Sequence, residues 1–297
     1  MITHPSSLPE DNDILIPHTA ISMPFEYKKV LVLGATSGIG WAMAAKMVES
    51  GVSVIAVGRR KENLDDFAKQ YGNTGKATVD TAVFDITKLK EIPGFAKEIY
   101  SKHPDLDCVM LNSGIQRHLN WADTENVDLD VLEQEILTNY TSYMHLTKAF
   151  LSILQKQAPK PAGLIYTSSG LALIPIIYCP NYCASKAALH HMILMMRQQL
   201  KDAKSNVKVH EVFPPAVQTE LHDDKHEPKF GGKGRQMGMP LNEFTEEAWE
   251  GLSKEGEGSE QVPVQAVKTF LGFNGWEMER QNIAMKVMER VKKERGS

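Results

Sequence analysis

The chain of 297 residues is long for one compact domain and short for two of full size. Hydrophobic residues make up 42% and charged residues 24%, so an ordinary core can form without a disulfide or metal staple. A net charge of -4, from 33 Lys+Arg against 37 Asp+Glu, gives no support to nucleic-acid or acidic-membrane binding, which usually leave a basic footprint.

The region before Phe25 carries Pro5, Pro9, Pro17 and Pro24 with acids at Glu10, Asp11 and Asp13. It lacks the basic start and apolar centre of a signal peptide and is expected to form an arm over residues 1–27. Cys108, Cys179 and Cys183 are too few for a disulfide framework and point to a reducing, cytoplasmic setting. No apolar run reaches the roughly 18 residues of a membrane-spanning helix.

From residue 28 onward, short apolar runs alternate with stretches of helical period, the pattern of a parallel sheet with crossover helices. Strands are expected at 29–33, 52–57, 78–84, 107–111, 163–167 and 207–212. Helices are expected at 39–51, with Gly51 as its closing glycine, and at 61–70, 93–102, 131–155 and 182–203. The Gly-, Lys- and His-rich stretch 222–240 reads as a mobile loop. A short helix at 241–253 and a strand at 261–265 follow. The tail 279–294 sets Ile283, Val287, Met288 and Val291 on one helical face, to pack on the domain or on a second subunit. The expected architecture is a doubly wound, Rossmann-type α/β fold of three αβα layers. One domain would cover 28–270, with a lid at about 220–255 and a helical extension at 271–297.

Gly34-Ala35-Thr36-Ser37-Gly38-Ile39-Gly40 lies between a predicted strand and a predicted helix. Gly34 permits a tight turn, Gly38 lets backbone approach a pyrophosphate, and Gly40 allows close packing of helix on sheet. Phosphates would meet free backbone N–H groups and the positive end of the helix dipole. The second strand ends Val57-Gly58-Arg59-Arg60, without the carboxylate that would bind an adenosine ribose. An arginine there can pair with a 2′-phosphate, which points to NADP(H) rather than NAD(H). One of the two arginines is expected to bind and the other to lie on the surface.

Tyr182-Cys183-Ala184-Ser185-Lys186 sets a phenol and an ammonium one helical turn apart. A tyrosine is a poor base at neutral pH, but an adjacent cation favours its phenolate and lowers its pKa. Tyr182 could then exchange a proton with an alcohol or carbonyl while hydride moves to or from a nicotinamide. Ser169, thirteen residues earlier, closes a predicted strand at the edge where open sheets bind ligands, although Ser168 fits the same local pattern.

These motifs resemble the short-chain dehydrogenase/reductase family over roughly 28–265, and look most like the subgroup named for the DltE oxidoreductases. Leu111-Asn112-Ser113-Gly114 stands where the family has Asn-Asn-Ala-Gly. The resemblance implies a catalytic tetrad of Asn139, Ser169, Tyr182 and Lys186, with Asn139 holding a water that links Lys186 to solvent. Gly34, Thr36, Ser37, Gly38, Ile39, Gly40, Arg59, Arg60, Asn112, Gly114, Tyr182 and Lys186 would hold the cofactor. Pro214-Pro215-Ala216-Val217-Gln218-Thr219 falls where the family lines the nicotinamide, which adds Pro214, Val217 and Thr219; Pro215 replaces a family glycine. Asp85 would meet the adenine amino group, against the alternative of a cap.

Cys179 with Cys183, and His190 with His191, read as packing rather than as metal ligands, and no metal is expected. Met192, Met195 and Met196, with Leu194 and Leu200, read as core or as a helix–helix dimer face. Leu171, Ala172, Ile174 and Ile177 suggest an apolar wall near Ser169. The expected function is NADP(H)-dependent interconversion of a carbonyl and a secondary alcohol, with a lipophilic small-molecule substrate and a homodimer or homotetramer. The alternatives are a cofactor-binding regulator without turnover and a non-redox reaction in the same site.

Overall fold

The structure, a computed structural model, describes residues 25–73, 75, 77–222, 233–254 and 256–295. The arm expected before Phe25 and the Gly-rich segment 223–232 lie outside the described residues.

Strand β1 (Lys29–Leu33) leads into helix α1 (Gly38–Glu49), followed by β2 (Ser53–Gly58), α2 (Lys61–Tyr71), β3 (Val79–Val83), α3 (Ile92–Lys102) and β4 (Cys108–Leu111). After β4 come α4 (Leu129–Ile136), α5 (Ser142–Gln155), β5 (Ala162–Thr167), α6 (Pro180–Asp202) and β6 (Val207–Phe213). The chain ends with α7 (Leu241–Leu252), β7 (Gln261–Pro263), α8 (Gln265–Phe270) and α9 (Met278–Arg295). The seven strands form one sheet in the order β3-β2-β1-β4-β5-β6-β7, and every pairing is parallel. Strand order reverses between β1 and β4, so their carboxyl ends open the crevice where such sheets bind ligands.

Alternation along the strands divides the apolar side chains into two cores. Val30 and Val32 join Met43, Met47 and Phe244 on one face of the sheet, whereas Leu31 and Leu33 join Phe95, Tyr143, Phe150 and Ile193 on the other. Burial on both faces explains why the strands read as continuous apolar runs rather than as alternating ones. The α/β three-layer expectation therefore stands.

Several local expectations change. The predicted helix 131–155 starts earlier, because the Asp128 carboxylate accepts N–H bonds from Asp130 and Val131 and caps α4. It is also interrupted by a π-helical turn at Leu137–Thr141. There the Thr138 hydroxyl donates to the Gln134 carbonyl at 2.8 Å, and Ser142 Oγ donates to the Thr138 carbonyl at 2.7 Å. The strand predicted to 265 stops at Pro263, since Gln265 opens α8.

Within the proposed lid, 241–252 is a core helix: Phe244, Ala248 and Leu252, at helical spacing, are buried. The mobile-loop expectation for 222–240 also covers a 3₁₀ turn at Gly234–Gln236 and a bridge from Met239 to Val217. On α9, Ile283 and Val287 are more than half exposed, so that face does not pack on the domain. Met196 and Leu200 of α6 are buried core, whereas Met195 lies at the surface.

Candidate active site

The glycine turn follows the sheet geometry closely. Gly34 has φ +91°, and a Cβ there would lie 2.8 Å from the Ser113 backbone nitrogen. A Cβ on Gly40 would lie 2.1 Å from the Gly34 carbonyl oxygen, so α1 can approach the turn only without a side chain at this position. Asn112 Nδ2 donates to that same Gly34 carbonyl at 3.4 Å and links the ends of β1 and β4.

A cavity of about 970 Å³ runs from this turn across the carboxyl edge of the sheet. Thr36, Ser37, Gly38, Ile39, Arg59, Arg60, Asp85, Asn112 and Gly114 line it, as do Ser169, Tyr182, Lys186, Pro214, Val217 and Thr219. The buried Thr167 hydroxyl, also on its lining, has no hydrogen-bond partner. Gly40 and Asn139 lie just behind the lining, Gly40 against the Gly34 turn and Asn139 beside Gly114. A long cavity with a glycine-walled helix start at one end and a buried Tyr and Lys at the other fits a dinucleotide.

Arg59 and Arg60 are both exposed and both line the cavity, but they differ in their partners. Arg60 Nη2 donates to Thr36 Oγ1 at 3.0 Å and to Ser37 Oγ, and Nη1 pairs with Glu220 Oε2 at 2.7 Å. Arg59 is exposed on the cavity lining. Asp85 lines the cavity, and its Oδ1 caps the following turn by accepting N–H and O–H bonds from Thr87 at 3.0 and 2.8 Å.

At the other end, α6 starts with Pro180 in its first turn, where a missing N–H costs nothing, and carries Tyr182 and Lys186 on its inward face. Tyr182 is 6% and Lys186 2% exposed. Lys186 Nζ donates to the Thr167 carbonyl at 2.9 Å and stands 5.7 Å from the centre of the Tyr182 ring. Burial pulls the Lys186 ammonium down to about 8, against the carboxylates of Glu211 and Glu135. The lowering expected for Tyr182 is not found in the chain alone: burial raises its phenol well above the ordinary value, outweighing a hydrogen bond with Ser169. Ser168 and Ser169 differ in their surroundings: Ser168 Oγ donates to the Val212 carbonyl at 3.3 Å, whereas Ser169 Oγ accepts the Leu171 N–H at 3.0 Å and acts on the Tyr182 phenol.

Asn139 sits in the π turn, and its amide is engaged by protein. Its Oδ1 accepts from the Ile115 N–H at 2.9 Å, and Nδ2 donates to the Ile115 carbonyl at 2.8 Å and to Ser185 Oγ at 3.2 Å. The side chain thus braces the loop after β4.

Three features escaped the sequence. Glu135, fully buried one turn before Asn139, accepts the Arg117 backbone N–H at 2.8 Å and the Asn181 side-chain N–H at 2.7 Å. Burial pushes its carboxyl up to about 7 despite those bonds. Helical spacing to Asn139 was its available signal. Glu220 directly follows Thr219 and reaches Arg60. His190 is no simple packing residue, since its ring lies 2.9 Å from Glu211 Oε2 and 3.0 Å from Glu277 Oε1.

The apolar wall is shifted from its expected members. Leu171 lines the cavity together with Ile176, Tyr178, Met237, Phe270 and Leu271. Ala172, Ile174 and Ile177 are not on the lining, and Ile177 is 80% exposed, because the 3₁₀ turn Gly170–Ala172 redirects the chain after Ser169. Cys179 and Cys183 are buried against Leu171 beside Tyr182. Among the described residues, no cluster of three potential metal ligands and no helix long and apolar enough to cross a membrane is found.

Comparison with known proteins agrees with this geometry. An uncharacterized oxidoreductase DltE of Bacillus subtilis is 31% identical over 240 residues, covering 80% of this chain and 88% of the relative. Two solved structures share the fold. A short chain dehydrogenase/reductase from Burkholderia phymatum in complex with NAD has a TM-score of 0.74 at 16% identity, covering 87% of this chain and 96% of that one. An alcohol dehydrogenase from Thermococcus sibiricus complexed with 5-hydroxy-NADP has a TM-score of 0.67 at 22% identity, covering 80% and 96%. The sequence model of the short chain dehydrogenase family matches residues 28–229, a span that contains the glycine turn, Asn112, Asn139, Ser169, Tyr182 and Lys186, and the chain is therefore a member of that oxidoreductase family.

Proposed function

We propose that the chain is an NADP(H)-dependent ketoreductase that interconverts a lipophilic ketone and its secondary alcohol. The observation that carries this reading is the buried Ser169–Tyr182–Lys186 group on the lining of the dinucleotide-sized cavity. NADP(H), when bound, supplies or accepts the hydride.

The glycine turn and the first turn of α1 would hold the pyrophosphate, and Arg60, with Arg59 beside it, the 2′-phosphate. Asp85 would take the adenine edge, and Asn112, Gly114, Pro214, Val217 and Thr219 the nicotinamide half. Tyr182 stays protonated at neutral pH, because burial raises its pKa, which is the state that donates a proton to a carbonyl oxygen in reduction. Ser169 would donate a second hydrogen bond to that oxygen and orient it. Lys186 would hold the nicotinamide ribose, and its positive charge stabilises the phenolate left on Tyr182.

Asn139 holds the neighbouring loop, and a water between it and Lys186 would return the proton from solvent. Leu171, Ile176, Leu271 and Phe270 support an apolar substrate. The exposed apolar side chains of α9 support a homodimer or homotetramer.

The test follows nicotinamide absorbance during conversion of a panel of lipophilic ketones. Net consumption of NADPH that Tyr182→Phe abolishes is the expected result. Conversion without net change in the cofactor, or equal rates in the variant, rejects the reading.

A further inference from the structure

The chain already holds an anion on Arg60, and that anion is its own. Arg60 follows β2, and its guanidinium is oriented by two hydroxyls of the glycine turn. Its Nε and Nη2 donate to Thr36 Oγ1 at 3.2 and 3.0 Å, and Nη2 also donates to Ser37 Oγ. The remaining face of the fork, Nη1, lies 2.7 Å from Glu220 Oε2. Thr36, Ser37, Arg60 and Glu220 all line the large cavity. Burial pushes the Glu220 carboxyl up, but the bond and charge of Arg60, a bond from Ser37 and the charge of Arg235 outweigh it and keep it ionised at neutral pH. Several donors and two cations therefore converge on one carboxylate at the adenosine end of the cavity.

This arrangement bears on cofactor choice, and the inference rests on the NADP(H) reading of the site. A 2′-phosphate seated on Arg60 and the Glu220 carboxylate are both anions, and both cannot take Nη1 without like-charge repulsion. A ribose with a free 2′-hydroxyl raises no such conflict. Glu220 could stay on Arg60 and accept the hydroxyl proton, the part that an acidic residue at the end of β2 plays where one is present. Strand β2 ends in Gly58, Arg59 and Arg60 and has no such acid, so Glu220 would supply it from 160 residues away in sequence.

We propose that Glu220 is a specificity-determining residue for the cofactor: its carboxylate stands on Arg60 in place of the 2′-phosphate, opposing NADP(H) and accommodating NAD(H). Arg60 thereby serves two anions in turn, and the preference for NADP(H) is weaker than the arginine alone would set. Because the Arg60–Glu220 pair is partly solvated, its effect is moderate.

The experiment measures dissociation constants for NADPH and NADH by fluorescence titration, using wild type, Glu220→Gln, Arg60→Ala and the double variant. Glu220→Gln should raise the ratio of the NADH constant to the NADPH constant by about fivefold, the upper end for a solvated ion pair. In the Arg60→Ala background the same change should leave that ratio unaltered. A ratio that Glu220→Gln does not raise overturns the proposal, and so does an equal rise in the two backgrounds. Retained NADH binding, with an unchanged unfolding temperature, shows that each variant is folded. The cofactor reading fails separately, if wild type does not favour NADPH and Arg60→Ala does not weaken it.

Discussion

Lys186 Nζ donates to the backbone carbonyl of Thr167 at 2.9 Å, a bond that ties the helix carrying Tyr182 to the end of the central strand β5. The ammonium is almost wholly buried and stands over the faces of both Tyr182 and Tyr143, at 5.7 and 5.8 Å from the ring centres. One cation therefore lies against both rings, closes the strand end and faces the space proposed for the ribose. Lys186→Met keeps the volume but removes the charge and all three donors. The expected result is a fall in kcat of about a hundredfold to ten-thousandfold, together with weaker NADPH binding. Initial rates and cofactor titration on the same preparation check both parts.

The same lysine predicts the shape of the pH profile. Its pKa in the folded chain is about 8, lowered by burial, while the Tyr182 phenol is raised and remains protonated throughout the neutral range. As pH rises through about 8, Lys186 loses its charge before Tyr182 loses its proton. Reductive kcat/KM, which reports groups of the free enzyme, should fall through that region. A profile that stays flat or rises there removes Lys186 as the controlling group.

Glu135 predicts a separation of kcat from cofactor affinity. Its two oxygens join Arg117, on the loop after β4, to Asn181, the residue before Tyr182. Glu135→Ala leaves the Arg117 N–H and the Asn181 amide without this acceptor and lets the loop move relative to Tyr182. A decrease in kcat of about tenfold is expected, equivalent to roughly 1.4 kcal/mol, with the NADPH dissociation constant unchanged. Glu135→Gln retains one acceptor oxygen and should recover part of the loss. Equal losses in kcat and cofactor affinity would show that Glu135 acts on the whole fold instead.

How far the site can be read from sequence depends on the distance over which each contact is made. Gly34, Gly40, Tyr182 and Lys186 declare themselves because turn geometry and helical spacing are local, and the apolar runs of β1 and β2 announce a sheet buried on both faces. Arg60 is legible as an anion ligand, but Glu220 is not legible as its partner, because the two meet only once the sheet has assembled and the segments that follow β2 and β6 come together beyond its strand ends. Glu135 had only its helical spacing to Asn139 as a signal and Glu277 had none, since a lone carboxylate does not announce the distant N–H or His that will meet it. Ile177 shows the converse: apolar identity placed it in the wall, and one 3₁₀ turn sent it outward.

The C-terminal extension gives the last prediction. Glu277 is fully buried, with Oε1 3.0 Å from His190 Nε2 and 2.7 Å from Arg280 Nη2. His190 in turn meets Glu211 of β6 and lies one helical turn beyond Lys186. Burial opposes both charges, but Glu211, together with Glu277, holds His190 up to about 9, while His190, Arg280 and Gln281 hold Glu277 down to about 2. The pair joins the extension to α6, and replacing Glu277 leaves His190 with only one of its two carboxylates, Glu211. Glu277→Gln should therefore cost about 2 kcal/mol, the scale of a hydrogen bond to a charged group, lowering the unfolding temperature by roughly 4–8 °C. The sign with pH follows from linkage. The raised His190 pKa adds stability that is complete below its ordinary 6.5 and lost as pH rises through about 9. The lowered Glu277 pKa adds stability that is complete above its ordinary 4.5 and lost as pH falls through about 2. The gap between wild type and Glu277→Gln should thus be widest from 4.5 to 6.5 and narrow on either side, as measured by denaturant unfolding across pH. A gap that is constant with pH would show that the glutamine is felt through packing and not through the ion pair.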